Sequence, residues 1–328
     1  MSEPSTTIPL QTPSLLHEPN SHTLTLSSCP TPIRAPTQHL LSVHTTALCA
    51  GELLWAEIAT HNPSSIPGFD VAGTILTSAS GSSFKPGDEV YGLTSFSRPG
   101  NARGVTVAES KELARAPKNR SWEERASVPL SALTAWQALF LHGGLAIPGE
   151  KEKNSGKRVL VTAAAGGVGA WAVQLAKLAG AEVVGTCGTG NVEFVKRLGA
   201  DDVVDYRRTG LREWVKGGKE RKVDVVVDCV GGKTLEEAWV CGAEGGIIIS
   251  VVMPAEKVRP REGVAEGVRT AWFIVEPNGE QLGQITRLIE EGSVKPVVDS
   301  VWGIDEFEKA FEKLNGGHAR GKVVLKVQ

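Results

Sequence analysis

The glycine-rich segment at residues 159–169 is the strongest candidate for chemistry in this chain. It reads VLVTAAAGGVG and continues into an alanine- and leucine-rich stretch that ends near Gly180. The pattern predicts a buried strand that turns directly into a helix, whose N-terminal N–H groups and positive dipole end bind phosphate. Gly166 would let the backbone approach a pyrophosphate, and Gly169 would allow tight helix–strand packing. We therefore predict a dinucleotide site. A purely structural turn is the alternative, because Ala164 replaces the first glycine of the usual motif.

The loop after the second predicted strand bears on which dinucleotide binds. NAD-specific folds usually place an Asp or Glu there, which bonds the ribose 2′-hydroxyl. Residues 187–192 read CGTGNV, with no carboxylate before Glu193. These small neutral residues leave room for a 2′-phosphate but offer it no cation. Arg207 and Arg208 follow the third strand, where they either reach that phosphate or lie on the surface. We predict NADP(H) rather than NAD(H).

Alternating strands and helices are the elements that must position this turn. Continuous valine and isoleucine runs between helical stretches are typical of a parallel sheet covered on both faces. Strands are predicted at residues 158–162, 182–186, 202–205, 224–228, 246–251 and 271–275, followed by a helix at 305–314 and a strand at 322–327.

The part before residue 121 has a different texture, typical of a small barrel or sandwich. Its short apolar runs, separated by Pro-Gly pairs, lie at residues 40–43, 71–76 and 89–93. Prolines restrict the first 36 residues to short edge strands, such as one from His22 to Leu26. A capping box formed by Ser121 and Glu124 then predicts the start of a helix that covers residues 126–141.

Composition excludes several classes of function. The chain has 328 residues and a net charge of -2, so it lacks the basic face that a nucleic-acid partner requires. No apolar stretch reaches the ~18 residues that span a bilayer. The 5 cysteines are too widely spaced for a disulfide framework or a metal knuckle. With no secretory signal at the N-terminus, we expect a cytoplasmic protein with a small-molecule substrate and no nucleic-acid or membrane partner.

These segments together resemble the medium-chain dehydrogenase/reductase superfamily, in its zinc-free quinone-reductase branch, the zeta-crystallin-like enzymes. Besides the glycine turn, the resemblance rests on IPGFDVAG at residues 66–73, FKPGDEVYG at 84–92, LTAWQAL at 133–139, LGAD at 198–201 and GKVVL at 321–325. It implies an α/β fold in which a Rossmann NADP-binding domain (121–291) is inserted in a GroES-like β-rich substrate domain (1–120, completed by 292–328). The resemblance also implies an active site in the cleft between the two.

The resemblance also bears on metal binding. Zinc-using relatives carry an early cysteine and a His-Glu pair as catalytic ligands. Cys49 lies where that cysteine would fall, but the His-Glu position reads Phe69-Asp70, and phenylalanine cannot bind zinc. A catalytic zinc needs three protein ligands and an open position. We therefore expect no metal, and without this Lewis acid we expect reduction of activated acceptors rather than oxidation of alcohols.

The predicted site residues follow from the turn and from the resemblance. The resemblance puts Thr134 and the strand end at residues 273–275 beside the nicotinamide, and Tyr206 near the adenine and the 2′-phosphate. The full set of predicted cofactor contacts is Thr134, Ala165, Gly166, Gly167, Val168, Thr189, Asn191, Tyr206, Val230, Phe273 and Val275. Cys49, Trp55 and Tyr91 are predicted at the substrate pocket, although core packing is an alternative for each. No side chain is identified as a catalytic acid.

The sequence therefore predicts an NADPH-dependent reductase that transfers hydride to a quinone or an α,β-unsaturated carbonyl without zinc. An enoyl-thioester reductase of a biosynthetic pathway is one alternative. A non-catalytic NADPH-binding protein is another, because Cys49-Ala50 and Leu54 replace the Asn-Pro pair and the tyrosine often found in zinc-free relatives. Assembly into a homodimer through the last strand of the parallel sheet is left open.

Overall fold

The structure is a computed structural model that describes residues 8–18, 21, 23–54 and 66–328. The chain divides into two compact units. The first contains residues 1–133 and 276–328, and the second contains residues 134–275. The second unit begins later and ends earlier than the Rossmann domain expected from the sequence, because the helix that begins at Trp122 and the helix that begins at Gly279 pack on strands of the first unit.

The N-terminal part of the chain is mostly β-structure. Its elements are β1 (Gln11–Glu18), β2 (Thr23–Pro30), β3 (Gln38–Leu48), β4 (Asp70–Thr77), β5 (Glu89–Leu93), β6 (Val105–Glu109), β7 (Leu113–Arg115), α1 (Trp122–Ala126) and α2 (Pro129–Trp136). The strands β1 and β2 form an antiparallel two-stranded sheet of their own.

The prediction of short edge strands near the N-terminus was wrong in length, since β1 and β2 each have 8 residues. The two strands pair only with each other as strands, and β1 has one isolated bridge on its other side, between Ser14 and Arg103. Prolines are tolerated in such edge strands, where few backbone N–H groups have to donate. Pro13 and Pro30 both take part in this pairing. His22, the first residue of the predicted strand, lies outside the described residues.

The single helix predicted over residues 126–141 is also divided. The capping box of Ser121 and Glu124 is confirmed at the start of α1, which ends at Ala126. Pro129 then begins α2, as suits a residue with a fixed φ and no N–H. A π-helix from Gln137 to His142 follows.

The second unit is built on six strands with helices between them. Its elements are β8 (Arg158–Val161), α3 (Gly167–Leu178), β9 (Glu182–Cys187), α4 (Val192–Arg197), β10 (Asp202–Asp205), α5 (Leu211–Val215), β11 (Val223–Asp228), α6 (Gly232–Trp239), β12 (Gly242–Ser250) and β13 (Arg269–Trp272). All neighbouring strands are parallel, in the order β10-β9-β8-β11-β12-β13. The predicted parallel sheet is confirmed, and its central strands are buried, as their valine and isoleucine runs indicated.

The C-terminal part returns to the first unit. It contains α7 (Gly279–Glu290), β14 (Val298–Gly303), α8 (Phe307–Asn315) and β15 (Lys322–Lys326). The strand β15 pairs with β14 on one side and antiparallel with β3 on the other, so the seven-stranded sheet runs β14-β15-β3-β4-β5-β7, with β6 paired to β3. This pairing brings residues from the two ends of the chain into one core.

Candidate cofactor site and a buried polar cluster

The turn between β8 and α3 provides a phosphate-binding backbone. Gly166 is the N-cap of α3 in an extended conformation, and no side chain caps the helix. The first N–H groups of a helix have no partner within the helix. Gly166, Gly167 and Val168 are half-buried, whereas Ala165 is buried. The turn therefore offers uncapped donors at the positive end of a helix dipole, which is the arrangement that binds a pyrophosphate.

Close packing shapes this turn. A Cβ added to Gly169 would overlap the carbonyl oxygen of Ala163, so only glycine lets α3 approach the end of β8 this closely. Ala163 itself has a φ of 47°, in the left-handed region that an L-alanine seldom adopts. Such strain persists where the surrounding structure holds it. Here the N–H of Ala163 donates to Thr186 Oγ1 (3.3 Å), and the N–H of Ala164 donates to the Thr186 carbonyl (2.9 Å).

The loop after β9 lies beside two side chains that follow β10, Tyr206 and Arg207. A Cβ on Gly188 would lie 3.1 Å from the hydroxyl of Tyr206 and 3.3 Å from Nε of Arg207. A guanidinium and a phenol therefore flank the small loop predicted to receive the adenine ribose. Thr189 Oγ1 donates to Asp205 Oδ2 (2.7 Å), and the Arg207 N–H donates to Asp205 Oδ1 (3.0 Å). Both oxygens of this nearby carboxyl group are thus occupied within the protein.

The remaining predicted cofactor residues also lie in the second unit. Val230 follows β11 and is 46% exposed, whereas Val275 is 8% exposed. Phe273 follows β13 and stacks on His142, with ring centroids 4.3 Å apart. Thr134 is buried in α2, and Asn191 ends a short turn that leads into α4. The structure does not test whether each contacts the cofactor, so these assignments stay predictions.

The first unit contains a polar cluster formed by Cys49, Glu52, Asp70 and Lys322, in which Asp70 and Lys322 are buried and Cys49 and Glu52 are half-buried. Lys322 Nζ lies 3.1 Å from Asp70 Oδ2, and neither residue is more than 4% exposed. Asp70 Oδ1 accepts from the Leu130 N–H (2.6 Å). Glu52 Oε2 accepts from the Gly68 N–H (3.2 Å), while Glu52 Oε1 is buried without a hydrogen-bond partner.

Burial dominates the electrostatics of this cluster. It raises the pKa of Glu52 to about 8, although the nearby Lys322 acts in the opposite direction. It also raises the pKa of the Cys49 thiol to about 11. Removal of a carboxylate or thiolate from water disfavours the charged form. These shifts favour a protonated carboxyl at Glu52 and a thiol at Cys49 at neutral pH. Burial also raises the pKa of Asp70, and the adjacent Lys322 opposes that shift.

The other two predicted substrate residues are placed differently. Tyr91 has no exposed surface within the first unit, and its hydroxyl shares a hydrogen bond of 2.8 Å with Thr286 Oγ1 in α7. This packing corresponds to the core alternative for Tyr91 and leaves its hydroxyl no free direction towards a substrate. Trp55 lies outside the described residues.

Comparisons with known proteins agree with this architecture. Residues 35–118 match the family described as alcohol dehydrogenase GroES-like domain, and residues 198–325 match that described as zinc-binding dehydrogenase. The chain is 48% identical over 98% of both lengths to a probable zinc-binding oxidoreductase, mitochondrial, of Arthroderma benhamiae. The chain belongs to the medium-chain dehydrogenase/reductase superfamily.

Two further relatives place it in the quinone-oxidoreductase-like branch of this superfamily. An NAD(P)H oxidoreductase of Danio rerio, RTN4IP1, is 32% identical over 80% of this chain and 72% of its own. The structure of the quinone oxidoreductase from Coxiella burnetii superimposes with a TM-score of 0.83 at 27% identity, and covers 97% of this chain and 100% of its own. Within the superfamily, this chain is thus an NAD(P)H oxidoreductase of the quinone-oxidoreductase type, with a GroES-like β domain and a Rossmann sheet.

The descriptions of one matching family and of one relative include zinc binding, but the described residues of this chain do not fit a zinc site. Among the described residues, no three His, Cys, Asp or Glu side chains come together as a metal site. Phe69 offers no ligand atom, and the Asp70 carboxyl is already paired with Lys322. The described residues therefore do not fit a catalytic zinc ion.

Sequence reasoning missed the polar groups that organise both units. Glu52 and Lys322 were not predicted as site residues, and Asp228 was identified only as the end of a strand. Asp228 follows the run VDVVV in β11. Because the carboxyl ends of parallel strands meet at the ligand-binding edge of such a sheet, a buried aspartate at this position was a usable signal. For Glu52 and Lys322 no local pattern was available.

The described part of the chain has no helix long and apolar enough to cross a membrane.

Proposed function

We propose that this protein is an NADPH-dependent reductase that transfers hydride to a quinone or an α,β-unsaturated carbonyl without a metal. The observation that carries the proposal is the second unit's sheet edge. It presents an uncapped helix N-terminus at Gly166 and a guanidinium with a phenol beside Gly188. The first suits a pyrophosphate and the second suits a 2′-phosphate.

The proposed preference for NADPH depends on Arg207. Arginine binds phosphate through charge-assisted, often bidentate, hydrogen bonds. The Asp205 carboxyl would oppose a phosphate, but its two oxygens already accept hydrogen bonds from Thr189 and from the Arg207 backbone. The loop residues Gly188 and Gly190 add no side chain that would fill the space next to the ribose. These features together favour a phosphorylated ribose over a free 2′-hydroxyl.

The protein's part in the reaction is to bind and orient. When bound, NADPH supplies the hydride. The uncapped N–H groups of α3 hold the pyrophosphate, and the side chains of Val230 and Phe273, beyond the ends of β11 and β13, give an apolar wall at the same sheet edge. Holding two reactants in a reactive geometry accounts for a large share of catalysis in such reactions. A water molecule suffices as the proton source, since each acceptor gains one hydride and one proton.

A panel of acceptors tests the proposed substrate class. Purified protein with NADPH is offered a quinone, a simple enone and an enoyl-CoA, and the loss of reduced-nicotinamide absorbance is followed. We expect the quinone or the enone to give the highest kcat/KM. A higher kcat/KM for the enoyl-CoA would replace the proposal with an enoyl-thioester reductase. Cofactor binding without turnover of any acceptor would favour a non-catalytic role.

Compartment and assembly remain proposals. The relative from Arthroderma benhamiae is named as mitochondrial, whereas the composition of this chain led us to expect the cytoplasm. Cell fractionation with an antibody to the native protein decides between the two. For assembly, we propose a homodimer through β13, which is an edge strand and is followed by Ile274, 46% exposed. Sedimentation of the wild-type protein, which should give twice the chain mass, tests it.

A further inference from the structure

A buried aspartate joins three strand ends at the edge of the parallel sheet. Asp228 ends β11 and has no exposed surface. Its Oδ1 accepts from the hydroxyl of Thr162 (2.9 Å), and its Oδ2 accepts from the hydroxyl of Ser250 (2.8 Å). Thr162 follows β8 and Ser250 ends β12, so one side chain connects the central strand with its two neighbours in the chain's sheet order.

The same carboxyl group shapes the loop that follows β11. Its Oδ2 accepts from the Gly231 N–H (2.9 Å), and its Oδ1 accepts from the Val230 N–H (3.3 Å). The Cys229 N–H donates to Thr162 Oγ1 (2.8 Å), so Thr162 also binds the backbone of this loop. The exposed side chain of Val230 therefore lies on a loop whose backbone N–H groups are held by hydrogen bonds to Asp228 and Thr162.

Thr162 is the residue immediately before the strained position of the glycine turn. Ala163 is the one non-glycine residue with a positive φ in the described part of the chain. Its amide is held by Thr186 on the β9 side, and Thr162 is held by Asp228 on the β11 side. A residue in a sparsely populated conformation relaxes unless its surroundings over-determine it.

We propose that Asp228 is a positioning residue for the dinucleotide: through Thr162 it holds the glycine turn in its strained, phosphate-binding form, and through Val230 and Gly231 it fixes the facing loop. The inference rests on the proposed cofactor site. It assigns a function in cofactor binding to a side chain that is fully buried and does not itself contact the cofactor.

The inference is tested by substitutions that keep the shape of the network and remove its bonds. Asp228→Asn replaces one acceptor oxygen with an NH₂ donor. This group then faces either the donors of Ser250 and Gly231 or the donors of Thr162 and Val230. Thr162→Val removes the hydroxyl at nearly constant volume, and Thr162→Ser restores it. We expect the first two to raise the Kd for NADPH about tenfold, since a buried group loses its partner. Thr162→Ser should bind more tightly than Thr162→Val.

Asp224→Asn is the matched control, because Asp224 lies in the same strand but bonds at its opposite end. Its carboxyl accepts from Lys157 Nζ and from the Arg158 N–H. This variant should bind NADPH with the wild-type Kd, whatever its effect on thermal stability. If Asp224→Asn weakens binding as much as Asp228→Asn does, the effect is a general loss of stability and the inference is wrong.

A second-site change separates positioning from stability. Glycine adopts a positive φ without strain, so Ala163→Gly removes the need for the turn to be held. In the Thr162→Val background, Ala163→Gly should recover much of the lost affinity, although it gives the chain no new contact. Amide hydrogen exchange at residues 163–167 without cofactor provides an independent measurement. Exchange should be faster in Thr162→Val than in the wild type.

These outcomes are distinguishable from failure of the proposed function. If the wild-type protein does not bind NADPH, the proposed function fails and the inference falls with it. If the wild type binds NADPH but Asp228→Asn and Thr162→Val bind it within twofold of the wild-type Kd, the inference alone is overturned. The same conclusion follows if Ala163→Gly recovers no affinity.

Discussion

The ammonium group of Lys322 and the carboxyl group of Asp70 form an ion pair 3.1 Å long in the interior of the first unit. Lys322 begins β15, Asp70 begins β4, and β3 lies between these two strands. Both charged groups have lost their hydration, and their mutual attraction compensates for that loss, so removal of one leaves the other buried and unpaired. Burial acts to lower the pKa of Lys322, but the neighbouring acidic groups, Asp70 first, raise it above its usual value.

Loss of one member of this pair should be far more damaging than loss of both. Lys322→Met leaves the Asp70 carboxyl buried without its cation and should destabilise the protein by about 3–5 kcal/mol. Addition of Asp70→Asn should recover part of that loss. Urea unfolding of the two single variants and the double variant measures the coupling. The more accessible pair of Lys326 with Glu123, whose side chains are 53% and 22% exposed, supplies the control, since Lys326→Met should change stability by less than about 1 kcal/mol. Simple additivity of Lys322→Met and Asp70→Asn would contradict the pairing.

Glu52 should make the protein less stable as the pH rises. Its pKa is about 8 in the folded protein, which is above the ordinary value of 4.5 expected after unfolding. Between these values the folded state keeps a proton that the unfolded state has lost. The stabilisation is therefore complete below about pH 4.5 and declines until the pH passes about 8. The slope is at most about 1.4 kcal/mol per pH unit.

Melting temperatures across this pH range measure the effect. The decline should be smaller in Glu52→Gln than in the wild type, because the glutamine has no proton to lose. Glu123→Gln is the control. A hydrogen bond from Lys326 lowers the pKa of Glu123 from 4.5, so the contribution of Glu123 changes only below about pH 4.5, and this variant should keep the wild-type slope at higher pH. An identical pH dependence in the wild type and Glu52→Gln would show that Glu52 ionises normally.

Gly169 should not tolerate even one methyl group. A Cβ there overlaps the carbonyl oxygen of Ala163, so Gly169→Ala forces α3 away from the turn. We expect a loss of about 1–3 kcal/mol in stability, as for other overpacked sites, together with weaker NADPH binding. Gly283→Ala is the matched control, because a Cβ at this position in α7 meets no atom within 4 Å. That variant should be stabilised by about 0.5–1 kcal/mol. Wild-type affinity in Gly169→Ala would show that the turn does not hold the pyrophosphate.

Arg207 should decide the cofactor preference. Arg207→Ala is expected to raise the KM for NADPH about tenfold, because a charge-assisted bond to phosphate is lost. The KM for NADH should stay the same, since NADH lacks the 2′-phosphate. Arg208→Ala removes the adjacent guanidinium and should leave both values unchanged. Equal effects of Arg207→Ala on the two cofactors would assign Arg207 to the fold instead.

Local sequence patterns predicted the second unit well. Strands β8 to β12 contain apolar runs that alternate with helices, and β10 begins at Asp202 and ends at Asp205, as the pattern indicated. The sixth strand was predicted at residues 271–275, but β13 covers Arg269–Trp272, so Phe273 and Val275 follow it. At the N-terminus, β1 was missed and β2 was predicted too short, because prolines were given their usual weight against strands, which is smaller in edge strands. The break before Pro129 was missed because the apolar spacing continues across it.

Lys322 and Glu52 show why the polar cluster of the first unit was harder to predict than the fold. Lys322 reaches Asp70 because β15 pairs with β3, where Val323 is opposite Leu48. Hydrophobic periodicity is a local pattern and does not predict which strands pair when they are this far apart in sequence. Glu52 is perturbed by burial against the same cluster, and burial of a charged residue in a short turn is not visible in composition. The glycine turn was found because its chemistry lies within one continuous segment.

An anaerobic titration of the NADPH-loaded protein with 1,4-benzoquinone tests the central claim most directly. The transfer of one hydride from NADPH, with one proton from solvent, converts one quinone into one hydroquinone. The proposed reductase should therefore lose its reduced-nicotinamide absorbance in proportion to added quinone, with an end point at one equivalent, in buffer that contains a zinc chelator. No loss of absorbance from bound NADPH with the quinone or with an enone, or a loss that requires added zinc, would contradict the claim.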